Sequence, residues 1–198
     1  MATATLTPAP APQPQKRITV EEYRQLIDEG LVSESARFEL IRGLLVEKPA
    51  INPPRATSLS RMRKRITRFE TDEILVRIEA PITLTPDSGP VPDFVVAKGS
   101  EDDYEDRHPE PGDIYLVVEV ADSSLAVDRG IKLQLYAEFK LPEYWIVNIP
   151  DRRVEVYAIP RVEGGYSSRR DYLPGESVPL SIEGKILGSI PVREILPR

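Results

Sequence analysis

Three ionisable residues stand where charge is expensive. Asp93 lies in the apolar run VPDFVVA, Glu119 near the end of the apolar run Ile114 to Val120, and Lys132 one turn into the helix that follows. Even a neutral polar group costs about 2–7 kcal/mol to bury unpaired, so a charge in such a run needs a cation, a metal or a raised pKa beside it. Two carboxylates with a lysine in reach form a set that can hold a divalent ion, activate a water and stabilise developing negative charge. Phosphodiester hydrolysis uses that chemistry.

Composition narrows the metal. The 198-residue chain has no cysteine and one histidine, His108, which excludes thiolate sites, disulfides and any multi-histidine centre. Oxygen ligands remain, and these suit magnesium or manganese. A net charge of −6 argues against non-specific coating of nucleic acid, yet Arg61, Arg63, Lys64, Arg65 and Arg68 form a local basic cluster. A cytoplasmic protein is expected from the cysteine count. A Ser123–His108–acid triad has nothing in the sequence to bring its members together.

The elements that must position these residues can be read in order. Residues 1–16, MATATLTPAPAPQPQK, read as a disordered Pro/Ala-rich tail without signal-peptide character, and residues 17–198 as one domain. Thr19 to Glu22 fits a capping box, with a helix to about Glu29 closed by Gly30. FELIRGLLVEKP reads as a hairpin turning at Arg42-Gly43. A helix is expected from about Ala56 to Phe69, strand from Glu73 to Leu84 broken at Pro81, and strand again over Val91 to Ala97. Lys98 to Gly112 reads as a long acidic loop without core residues. Ile114 to Val120, apolar on both parities, reads as a strand covered on both faces. In the next helix Asp128, Lys132 and Tyr136 share a face, beside an apolar one of Ile131, Leu135 and Phe139. EYWIVNI and RVEVYAI form a hairpin across Pro150-Asp151, with Trp145 in the core, and a small hairpin turns at Glu183-Gly184. The fold class is α/β: a mixed central sheet flanked by helices, with additional antiparallel hairpins.

Pro92-Asp93, LVVEV with Glu119, and DRGIKLQLYAEFKLPEYWIVN together resemble the Uma-two family, within the PD-(D/E)XK nuclease superfamily. The resemblance runs from about Thr19 to Leu196 and is strongest between Val91 and Tyr157. It implies a restriction-endonuclease-like core and a divalent-metal-dependent endonuclease acting on DNA, with Mg or Mn as cofactor and a homodimer as the assembly. Asp93 then matches the aspartate of the PD motif and Glu119 the acidic residue of the (D/E)XK motif, both metal ligands, with the backbone carbonyl of Val120 a third. The motif's lysine would stand at Ala121; in this family it is thought to have moved to the next helix, which selects Lys132. Glu39 matches an early acidic residue of the site and Tyr136 a recurring tyrosine. Arg55, Arg61, Lys64 and Arg65 are the candidate nucleic-acid contacts.

Two positions depart from the family pattern. Leu44 stands where a glutamate is common, and Arg55 where close relatives carry histidine after paired prolines. Plainer readings stand beside each residue. Glu119 could cap an exposed strand end, Asp93 could serve a turn, Lys132 could pair only with Asp128, Tyr136 could be packing, and Glu39 could lie on an exposed hairpin face. The alternative function is a catalytically weak or inactive nucleic-acid-binding or protein-interaction module on the same scaffold.

Overall fold

The computed structural model describes residues 17–33 and 37–198; the expected tail over 1–16 lies outside them. Helix α1, Val20–Asp28, opens on the predicted capping box. The Thr19 hydroxyl accepts from the Glu22 N–H at 3.1 Å, and the Glu22 carboxylate accepts from the Thr19 N–H at 2.8 Å. Strands β1 (Phe38–Ile41) and β2 (Leu44–Glu47) pair antiparallel through Arg42 and Gly43, both at positive φ (50° and 76°), as a two-residue hairpin turn requires.

Helix α2 spans Pro53–Ile66, starting three residues before the expected Ala56. Asn52 caps it by accepting from the Arg55 N–H at 3.0 Å, and prolines occupy its first turn, where no N–H is needed. It passes into a short 3-10 turn, Thr67–Phe69.

The central sheet has six strands in sequence order: β3 (Ile74–Ile78), β4 (Phe94–Lys98), β5 (Ile114–Ala121), β6 (Glu143–Asn148), β7 (Arg153–Pro160) and β8 (Tyr166–Tyr172). All neighbours run antiparallel except β5 and β6, which are parallel because a helical crossover joins them. That crossover comprises α3 (Leu125–Val127), a π-helical turn (Asp128–Lys132) and α4 (Leu133–Glu138). Strands β9 (Ser177–Ile182) and β10 (Lys185–Pro191) form the last hairpin, followed by α5 (Val192–Ile195).

Both sheet faces are covered. One packs Phe94, Val96, Val118, Val120 and Trp145 against Met62 and Ile66 of α2 and against the β9–β10 hairpin with α5. The other packs Val95, Val117, Ala121 and Tyr144 against Leu135 and Tyr136 of α4 and Ile41 of β1. Glu119 shares the parity of Val117 and Ala121 and therefore belongs to this second face.

Several expectations are corrected. Strand β3 ends at Ile78, because Glu79 takes φ +47°; Ile82 and Leu84 are buried outside any strand. Strand β4 begins at Phe94, which leaves Asp93 immediately before it. The acidic loop does contribute to the core. Tyr104 is buried in a 3-10 turn (Glu101–Tyr104), its hydroxyl donating to the Lys98 carbonyl and the guanidiniums of Arg77 and Arg107 both lying over its ring. Ile131 is 38 % exposed while Leu135 is buried. The π turn inserts an i→i+5 step, which shifts the helical phase on which the apolar face was drawn.

A buried ion-pair cavity as candidate active site

Glu119, Lys132, Glu39 and Tyr136 meet on one side of the sheet, with Asp93 in register beside Glu119, and all five are buried. Sheet pairing is the first reason. Phe94 lies opposite Val118, so Asp93, one residue earlier, falls beside Glu119. The crossover is the second, because α3, the π turn and α4 return over the end of β5. Lysine Nζ of Lys132 stands 2.9 Å from Glu119 Oε1, 2.9 Å from Glu39 Oε1 and 3.9 Å from Asp128 Oδ1. The Tyr136 hydroxyl donates to Glu119 Oε1 at 3.0 Å. Glu39 is held by its second oxygen, which accepts from the Val91 N–H at 3.2 Å. A cavity of about 210 Å³ opens on this group, lined in part by Glu39, Lys48, Arg55, Glu119, Asp128 and Lys132.

Asp93 has its own cations. Its carboxylate accepts from Arg55 Nη2 at 2.8 and 3.1 Å and from the Val120 N–H at 2.7 Å, and Lys48 Nζ lies 3.6 Å away. Arg55 Nε also donates to the Val120 carbonyl at 2.9 Å. Two expectations change here. Arg55 is 3 % exposed and pairs with Asp93, so it is no surface contact in this conformation. The Val120 carbonyl serves Arg55 instead of standing open. A signal for Arg55 was in the sequence: with Ser58, Met62 and Ile66 it forms the buried stripe of α2 at helical spacing. Lys48, which sequence reasoning passed over, donates to the Val91 carbonyl at 2.6 Å. Only the tertiary fold brings the end of β2 to Asp93.

Burial and neighbouring charge set the protonation states. Burial pushes the Glu119 carboxyl up to about 8 against the pull of Lys132. For Lys132, burial acts downward but is outweighed by Glu119, Glu39 and Asp128, which together raise it and hold the ammonium charged. Burial raises Asp128 as well, and its Oδ2 is buried without a partner. Burial, then the Glu119 charge, keeps the Tyr136 phenol well above its usual range and therefore protonated.

The basic cluster lies elsewhere. Arg61 donates to the Leu196 carbonyl and Arg65 pairs with Glu194 at 2.6 Å. With Lys64, Arg152, Arg193 and Arg198 they line an open groove of about 510 Å³. Ten residues of helix between Arg55 and Arg65 put roughly 15 Å between these two ends of α2. His108 and Ser123 line different cavities, and the His108 ring lies 3.4 Å from the Arg77 guanidinium.

A family model described as "Uma2: Putative restriction endonuclease" matches residues 20–185. The chain belongs to the Uma2 family. A crystal structure of "a putative nuclease belonging to DUF820" from Anabaena variabilis shares the fold. It has a TM-score of 0.65 and 17 % identity, over 90 % of this chain and 97 % of that one. No curated protein matches the sequence. Among the described residues, no helix is long and apolar enough to cross a membrane.

The donors suit a divalent ion in kind. Asp93, Glu119 and the Val120 carbonyl are hard oxygens, and magnesium is commonly held by one or two carboxylates with water completing its shell. The buried, unpartnered Asp128 Oδ2 adds a further oxygen beside them. Among the described residues no three acidic or histidine side chains are grouped to hold an ion.

Proposed function

We propose that this Uma2 protein is a cytoplasmic, divalent-metal-dependent endonuclease that hydrolyses DNA phosphodiester bonds. Asp93 and Glu119 would hold magnesium or manganese, with the Val120 carbonyl as a further ligand. The observation that carries this reading is a cavity lined by Glu119 and the charged Lys132, with the buried Asp93 in register beside Glu119 and bonded to the lining residue Arg55, in a chain of that family. A bound ion would neutralise the phosphate and lower the pKa of its water.

The chain's own groups divide the remaining work. Lys132 is held protonated, so it is no general base; it donates to the attacking water or to a phosphate oxygen and stabilises the charge developing there. Glu39 and Tyr136 are positioning residues: one holds the ammonium, the other the Glu119 carboxylate. Arg61, Lys64 and Arg65, with Arg193, supply a phosphate-binding groove. Arg55 is available to a phosphate once it leaves Asp93. A homodimer, one copy per strand, is the assembly that double-strand cutting calls for.

Plasmid cleavage tests the reading. Wild type is expected to nick supercoiled DNA with Mg²⁺, and Asp93→Asn and Lys132→Gln, checked for folding, to lose roughly 100-fold or more. Cutting without metal, or equal cutting by folded Asp93→Asn, would refute it. One observation favours the second reading, a catalytically weak or inactive binding module: Arg55 already holds Asp93 and the Val120 carbonyl. DNA binding without cleavage at any Mg²⁺ or Mn²⁺ concentration would select it.

A further inference from the structure

We infer that Arg55 is the resident cation of this site, competing with the divalent ion for the same oxygens, and that its displaced guanidinium then binds the substrate phosphate. This rests on the metal-dependent reading above.

The geometry is that of a substitute ligand set. Arg55 Nη2 spans both oxygens of Asp93 at 2.8 and 3.1 Å, and Nε takes the Val120 carbonyl at 2.9 Å. Those are the donors a metal would use. Metal–oxygen bonds of about 2.0–2.1 Å would bring an ion against the guanidinium, with like charges meeting at a buried carboxylate.

Charge balance points the same way. With all four ionised, as a bound divalent ion would require of its ligands, the buried carboxylates Glu39, Asp93, Glu119 and Asp128 face three buried cations, Lys48, Arg55 and Lys132. Adding a divalent ion to all three leaves an excess of positive charge. Exchanging it for Arg55 brings four charges against four. Lys48, at 3.6 Å from Asp93, remains to share that carboxylate.

The guanidinium also has somewhere to go. Arg55 Nη1 is buried and has no partner, while Arg55 lines the cavity shared with Ser123, Ser124 and Lys132. A buried N–H without an acceptor is a cost that a phosphate oxygen would remove, and the planar fork suits a phosphate. The Arg55 backbone is held in place: its N–H donates to the Asn52 side chain, whose amide donates to Asp122 at 2.6 Å.

Calorimetric Mn²⁺ titration of the full chain, with thermal unfolding beside it, tests the exchange. Arg55→Gln is expected to bind Mn²⁺ roughly 10–100-fold more tightly than wild type, with Arg55→Lys between them and Arg55→Gln/Asp93→Asn not binding. A nuclease-resistant phosphorothioate duplex should tighten Mn²⁺ binding in wild type more than in Arg55→Gln. If Arg55→Gln is unfolded without metal, Mn²⁺ should refold it, as read by Trp145 fluorescence; failure to refold at millimolar Mn²⁺ overturns the proposal. Equal affinity in wild type and Arg55→Gln, lost on Asp93→Asn, overturns the role of Arg55 and leaves the metal reading standing. No Mn²⁺ binding in any variant overturns both.

Discussion

Replacing Lys132 by methionine isolates the electrostatics of the cavity. The side chain is 3 % exposed, and its removal strips the cation from Glu39 and Glu119, each 2.9 Å away, and from Asp128 at 3.9 Å. Breaking one buried pair typically costs about 3–5 kcal/mol. A stranded carboxylate escapes by binding a proton, and that escape sets an upper bound. Protonating a glutamate of ordinary pKa, about 4.3, costs roughly 5 kcal/mol at pH 8 and about 1 kcal/mol at pH 5.

The direction follows from linkage. Each stranded carboxyl has its folded pKa raised above the unfolded value, so the folded variant binds more protons. Its stability therefore falls as pH rises from about 4 upward. Glu119, already pushed up to about 8, shows this trend in wild type too. The expected loss for Lys132→Met is about 3–5 kcal/mol at pH 8, a drop of about 6–20 °C in unfolding midpoint, shrinking to about 1–2 kcal/mol at pH 5. Urea unfolding followed through Trp145, the single, fully buried tryptophan, reads it directly. A loss below about 1 kcal/mol at pH 8, or the same loss at both pH values, would refute the claim that Lys132 neutralises this cluster.

Other consequences are open to measurement. Tyr136→Phe removes the hydroxyl from Glu119 and should cost about 1–2 kcal/mol in urea unfolding; cleavage should fall by less than tenfold, as for a positioning group. Burial acts to raise Glu155, but Arg129, Tyr157 and Asn148 outweigh it and hold its carboxyl low, so this contribution is present above the ordinary glutamate range and lost as pH falls below it. Arg129→Ala should accordingly lower the thermal midpoint at pH 7, with the gap to wild type narrowing toward pH 3. Lys64→Ala and Arg193→Ala should each weaken DNA binding uniformly across sequences and reduce the salt slope by about one; a sequence-dependent loss would place base contacts in the groove instead.

Local signals in the sequence determined most of the scaffold. The Thr19 capping box, the Arg42-Gly43 turn and the doubly apolar β5 run are each set by neighbours a few residues apart, so propensity and periodicity reveal them. Glu119, Lys132 and Asp93 stood out because charge in an apolar run is costly wherever the run is packed, and the family pattern linked them. The partners of those charges were decided by tertiary structure. Arg55 comes from 38 positions before Asp93; a basic residue two places into a helix looks solvated until a sheet covers that face. Lys48, Tyr104 and the phase shift of the π turn have the same origin. Each answers a long-range demand, a carboxylate to neutralise or a gap to fill, that arises only once distant segments have packed. Spacing along the chain thus determined which charges needed an explanation, and packing decided which cations answer them.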